Sequence, residues 1–411
     1  MFNRNSLVAA LSAAGLMALS GAALAQQVVV SGGATLPAPL YNDEITSFPA
    51  STFKPYVGVG SGAGKTAFLT NNASGLYSSG VVHWIGSESI LTQAQINDYL
   101  ITGLGRLDMP TGHGPLIQIP AMVTPITISY KGPTDVVQLT KGQLCGVLSG
   151  KFDKWSDIGV SSGTAPDRFK VIYRKDDSGT TQLLTRHLQA VCGPDANVAF
   201  TGKSVFAEEF PTWFGQPQLP PQFIGVNGSA GVAAQADLEP SVITYLGPDP
   251  AHTSKLRQAE LFNINDFEPW VSYAPTAENV ESAMASTVAS LPTATGPVER
   301  DPRRANWTNS LNQANPFNWI RASVNPRTGY PIVGYTSFVL SQCYENASVT
   351  SAIKDFLTKH YSASNDKPAQ HLLVPLGRVN RMRILSAFVT GTIANLNVGN
   401  ATVCGNYAGR G

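Results

Sequence analysis

A two-domain α/β fold is what this sequence predicts, and three observations predict it. Strand-like segments alternate with helix-like segments through most of the chain, the pattern of a layered architecture with largely parallel sheets. Four times a strand runs through a short turn rich in small or hydroxyl-bearing residues into a helix. The 411-residue length suffices for two domains, each with its own core, once an N-terminal leader is set aside.

That leader is Met1 to Ala25. Arg4 supplies its basic end, an apolar run from Leu7 to Leu19 its centre, and Ala23-Leu24-Ala25 a small-residue cleavage site. The run is too short for a membrane span and no later segment reaches that length, so a soluble exported protein is expected. No cysteine follows the cleavage site to carry a lipid anchor. The formal net charge of +1 falls to zero when Arg4 leaves with the leader, which argues against a nucleic-acid partner. Cys145, Cys192, Cys343 and Cys404 form two well-separated pairs, as expected for structural disulfides in an oxidising compartment. Pairing each with its neighbour closes loops of moderate length, although spacing alone leaves the connectivity open. Neither pair has CxxC spacing, and the six histidines form no ligand motif with them, so no metal site is expected.

The four turns carry the chemistry. After the strand Val28-Val29-Val30 comes Ser31-Gly32-Gly33-Ala34-Thr35-Leu36-Pro37, where Pro37 suits a first helical turn and leaves Thr35 and Leu36 to offer backbone N–H groups. The second turn, Val59 to Gly64, has Ser61 at its apex; it resembles a nucleotide P-loop but has Val59 where that motif needs glycine. The third, Gly86-Ser87-Glu88-Ser89, precedes a helix from Thr92 to Leu100. Its Glu88 either accepts a hydrogen bond from a protonated anion or is an exposed loop acid. The fourth follows Val171-Ile172-Tyr173: Arg174 offers a planar fork at the strand end, Ser178 and Thr180 add hydroxyls, Gly179 permits close approach, and the helix to Val191 starts with unpaired N–H groups. Alone, this last motif equally describes a helix capped by Ser178 or Asp177 beside a solvated arginine. In an open α/β sheet all four turns fall at the carboxyl ends of strands, where ligands bind.

Elsewhere, Leu116 to Tyr130 reads as a long strand or strand pair able to cross between domains, and Thr140 to Gln143 as a capping box. Val242 to Leu246 and Ile332 to Leu340 read as strands. Tyr273 to Asn325 reads as an elaborated surface loop with one helix, Glu278 to Ser290, and with Arg300, Arg303 and Arg304 as solvated charges or a partner patch.

Together these residues resemble the phosphate-binding proteins of phosphate ABC transporters, and among them the DING family. The resemblance runs nearly end to end. It is carried by Gly32 to Pro37, Val59 to Gly62 with Gly64-Lys65, His83-Trp84 with Gly86 to Ser89, Leu144 to Gly150 with Trp155-Ser156-Asp157, Tyr173-Arg174 with Ser178 to Thr181, Gly329 to Ile332, and Ser341 to Tyr344. It implies a two-lobed, hinged periplasmic-binding-protein fold of the type II, Venus-flytrap kind, with 26–122 and 248–411 as one lobe and 123–247 as the other. It further implies disulfides Cys145–Cys192 and Cys343–Cys404, and phosphate contacts from Thr35, Leu36, Ser61, Glu88, Arg174, Ser178, Gly179 and Thr180. The expected protein is a periplasmic or extracellular monomer that captures inorganic phosphate without cofactor, metal or catalytic residue, either for a phosphate ABC transporter permease or as an extracellular scavenger. The alternative is a secreted DING-like alkaline phosphatase acting on phosphate esters. Two departures stand out: the tetrad that names the DING family reads Val28-Val29-Val30-Ser31, and Glu88 replaces an aspartate, so its carboxylate must retreat or enlarge the site.

Overall fold

In the computed structural model, residues 27–285, 291–293, 295–320, 325–391 and 393–411 are described; the leader, Met1 to Ala25, and the end of the expected helix Glu278 to Ser290 lie outside them. Two sheets organise two lobes. The first has six strands in the order Val374–Pro375, Leu116–Pro125, Val333–Ser341, Trp84–Ser87, Ser31–Gly33 and Val57–Gly58. The second has five, in the order Phe223–Val226, Lys170–Arg174, Val242–Leu246, Thr127–Lys131 and Arg257–Gln258.

The expectation of largely parallel sheets is corrected: both are mixed. Ser31–Gly33 pairs in parallel with its two neighbours, and Lys170–Arg174 with its two, whereas the remaining pairs of both sheets are antiparallel. The parallel strands are those that feed helices, since a crossover helix returns the chain to run the same way. The antiparallel ones surround the passage between lobes. Leu116–Pro125 is buried along its whole length in the first sheet, the chain crosses at Ile126, and Thr127–Lys131 enters the second sheet. The largely apolar composition, broken only by the buried Gln118 and Thr124, follows from that burial on both faces. The crossing falls three residues after the expected boundary, and the strand Arg257–Gln258, expected in the first lobe, pairs with Thr127–Lys131 in the second.

The helix Gly179–Val191 buries Leu183, Leu184, Leu188 and Val191, and full burial of one such side chain is worth about 1.5–3 kcal/mol. Leu183 reaches across to the first lobe, where a Cβ added to Gly334 would lie 2.5 Å from its Cδ2. One apolar core therefore runs through both lobes. Disulfides join Cys145 to Cys192 and Cys343 to Cys404. The capping box at Thr140 and Gln143 is formed.

The segment expected to be a surface loop, Tyr273 to Asn325, is instead packed where it is described: Trp307, Trp319, Asn312, Gln313 and Asn315 are buried. Its asparagine amides replace a regular ladder. Asn312 donates to Glu299 O at 2.8 Å and Asn315 to Trp307 O at 3.0 Å, so buried carbonyls are satisfied without a strand. Within it Arg303 pairs with Asp301 and Arg300 donates to Ala394 O at 2.8 Å.

Candidate anion-binding site

Parallel pairing brings the turns together. Gly33 stands beside Gly58 on one side and Gly86 on the other, so the first three turns leave one edge of the first sheet side by side. The approach is tight enough to demand glycine: Gly33 has φ +122°, and a Cβ there would meet Gly86 O at 2.4 Å. The fourth turn leaves the end of Lys170–Arg174 in the other lobe and faces them. Gly62 N donates to Asp177 O at 3.1 Å across the cleft.

All eight residues expected at the site are buried. Ser61, the first residue of the helix Ser61–Thr70, donates to Glu88 Oε2 at 3.1 Å and accepts from Glu88 N at 3.3 Å. Gly179 fits against this pair, since a Cβ there would lie 2.6 Å from both Glu88 Cβ and Ser61 Oγ. Ser178 caps its helix by accepting from Thr181 N at 3.2 Å, and Thr180 Oγ1 is buried without a hydrogen-bond partner. Leu36 packs its side chain against Gly247, leaving its backbone to the site.

Arg174, only 1% exposed, is held from two sides. Its N–H donates to Tyr245 Oη at 3.0 Å, and its Nε donates to Asp176 Oδ1 at 2.6 Å while Nη2 donates to Asp176 Oδ2. That uses the side edge of the guanidinium and leaves the end edge, Nη1 with the outer N–H of Nη2, for an anion. Nη1 lies 3.5 Å from Ser229 Oγ, which is 2.9 Å from Thr35 Oγ1, so Thr35 is tied to the arginine across the lobes.

Asp176 and Ser229, which bond Arg174, and Thr336, whose hydroxyl acts on the Glu88 carboxyl, also line the candidate site and were not singled out from the sequence. Asp176 had a signal, because residues two apart beside a strand end share a side. So did Ser229, which follows Phe223–Val226 at the start of the helix Gly228–Leu238 and repeats the strand, turn, helix pattern. Thr336 had none; it sits mid-strand where the pairing of Val333–Ser341 shifts register, and it hydrogen-bonds Tyr41 Oη at 3.1 Å.

The charges are unequal. Burial acts to raise the Asp176 carboxyl, but the hydrogen bonds and charge of Arg174 outweigh it and hold the group below its ordinary range. Glu88 goes the other way: burial pushes it up to about 7 against the Ser61 hydroxyl and the Arg174 charge. At 3% exposure it is no exposed loop acid, and its Oε1 is buried without a partner. The site thus offers N–H and O–H donors on most sides and one carboxyl group with an unused oxygen, an arrangement for a small oxyanion that brings its own proton.

The PBP superfamily domain model matches residues 20–364. The chain belongs to this superfamily. Its relatives include proteins named phosphate-binding protein or alkaline phosphatase L, and its structural neighbours include phosphate-binding proteins of the DING kind. A protein of Pseudomonas aeruginosa named alkaline phosphatase L is 35% identical over 413 residues, covering 100% of both chains. A phosphate-binding protein of an unknown prokaryotic organism is 34% identical, covering 92% of this chain and 98% of its own. Among solved structures, a high-affinity periplasmic phosphate-binding protein, PfluDING, determined with phosphate bound, is 31% identical and superposes with a TM-score of 0.75 over 94% of this chain and 100% of its own. Among the described residues, no cluster of three or more His, Cys, Asp or Glu is placed to hold a metal ion, and no helix is long and apolar enough to cross a membrane.

One substitution tests closure without touching a donor. Gly179→Ala puts a methyl where the opposite lobe's Glu88 and Ser61 pack. Overpacking of this kind costs about 1–3 kcal/mol, while alanine is the better helix former. Titration calorimetry is expected to show anion binding weakened by about tenfold or more, with the melting temperature of the ligand-free protein unchanged.

Proposed function

We propose that this chain captures inorganic phosphate between its two lobes, held by Thr35, Leu36, Ser61, Glu88, Arg174, Ser178, Gly179 and Thr180. One observation carries the reading: a buried arginine lies close enough to the buried Glu88 carboxyl group to act on its charge, and that carboxyl keeps one oxygen without a hydrogen-bond partner, among hydroxyls and helix N-termini. Such a ring suits a tetrahedral oxyanion with one proton. The relatives that bear the name phosphate-binding protein support it. The same kinship supports a periplasmic or extracellular location and delivery of the ligand to a transporter permease. Calorimetric titration with phosphate is expected to give one site per chain, and the absence of binding would overturn the proposal.

The 35% identity to a protein named alkaline phosphatase L favours a second reading, hydrolysis of phosphate esters. Burial of all eight residues suits a small anion better than an ester carrying an organic group. A metal-free preparation assayed with a chromogenic phosphate ester separates the two: turnover that disappears in Arg174→Ala would establish the second reading.

A further inference from the structure

Outside the phosphate cradle, a part-buried histidine–aspartate hydrogen bond joins the lobes. His371 follows the helix Lys367–Gln370, which packs on Ala38–Ile45 in the first lobe. Asp249 lies between Val242–Leu246 and Arg257–Gln258, both strands of the second sheet, and so belongs to the second lobe. His371 Nδ1 is 2.7 Å from Asp249 Oδ2. An ionised carboxylate only accepts, so Nδ1 carries the hydrogen.

Both partners are held in place. Asp249 has a side chain 2% exposed, and its other oxygen accepts from Ala251 N at 2.8 Å, capping the short helix that follows. His371 Nε2 faces Asp43 Oδ2 at 3.5 Å, and Asp43 in turn takes Lys367 Nζ at 2.6 Å. The residue after His371 is Leu372 at φ +54°, a left-handed conformation that glycine usually occupies.

We propose that His371 and Asp249 form an inter-lobe latch that stabilises the closed state and slows release of the captured anion without contacting it. The inference rests on phosphate capture by lobe closure. Contacts made only when the lobes are closed add to affinity by the share of the closed state they secure. Because the latch is absent from the open state, it acts on dissociation and leaves association nearly untouched.

Two substitutions remove it while sparing the surroundings. His371→Ala deletes the imidazole. Asp249→Ser keeps an oxygen to cap Ala251 N but is too short to reach His371. Each is expected to raise the phosphate dissociation rate and Kd by about tenfold, with the association rate within about twofold; the double variant should be no worse than either single one. His371→Asn, whose amide can donate from the δ position, should recover most of the loss. Small-angle scattering of the ligand-free proteins supplies a readout independent of phosphate: both single variants should be more open on average than the unaltered chain. Unchanged dissociation rates, or losses that simply add in the double variant, overturn the latch. If the unaltered protein does not bind phosphate, the function proposal fails, and the scattering comparison alone decides the latch, with no opening in either variant overturning it.

Discussion

Arg174→Ala is expected to weaken phosphate binding by about 2 to 5 kcal/mol, roughly thirtyfold to several thousandfold, the cost of truncating one partner of a buried charged contact. The surroundings push the loss towards the upper end. Asp176 is held below its ordinary range with Arg174 beside it, and once the arginine is gone its carboxylate stays in the cleft and repels the incoming anion. Arg174→Lys keeps the charge but not the planar edge that serves Asp176 and the anion at once, so an intermediate loss is expected. Calorimetry on the two variants checks both values. A loss below about tenfold in Arg174→Ala would place the guanidinium outside the site.

The four strand, turn, helix units were legible because their signal is local: glycines, hydroxyls and a helix start within a few residues of a strand end. The β-rich run from Leu116 to Tyr130 was legible for the same reason, but its division into two strands at Ile126 was not placed by the sequence. Strand direction was not. Whether Val333–Ser341 runs parallel or antiparallel to Leu116–Pro125 depends on partners about two hundred residues away in the chain. The segment around Trp307 and Trp319 read as surface because its buried polar groups are satisfied by asparagine amides, which in sequence look like loop chemistry. Burial was the other illegible quantity. It turns Glu88 from a loop acid into a carboxyl group with a raised pKa. The hydrogen bond between His371 and Asp249, 122 residues apart, lay equally beyond a local reading.

Glu88→Gln is expected to shift the preference for phosphate over sulfate by about tenfold to a hundredfold towards sulfate, the scale of one satisfied or unsatisfied charged hydrogen bond. Ionised Glu88 can only accept, so hydrogenphosphate donates to it whereas sulfate, with no proton, meets a bare like charge. A glutamine amide offers sulfate a donor instead. The pKa of about 7 adds a pH dependence, because protonated Glu88 is itself a donor. Sulfate binding by the unaltered protein should therefore fall as pH rises through about 7 and stay level in Glu88→Gln. The same shift acts on stability. The folded chain keeps a proton that an unfolded glutamate releases near 4.5, so the contribution, about 3 kcal/mol, is fully present below that pH and is lost as pH rises through about 7. Urea unfolding of the ligand-free protein should show this decline in the unaltered chain and a flatter profile in Glu88→Gln. Glu88→Asp restores the shorter side chain and tightens phosphate binding if the extra methylene strains the cleft. An unchanged phosphate-to-sulfate ratio in Glu88→Gln would remove Glu88 from the site, because a group whose unused oxygen faces the anion cannot change from acceptor to donor without altering which anion is preferred.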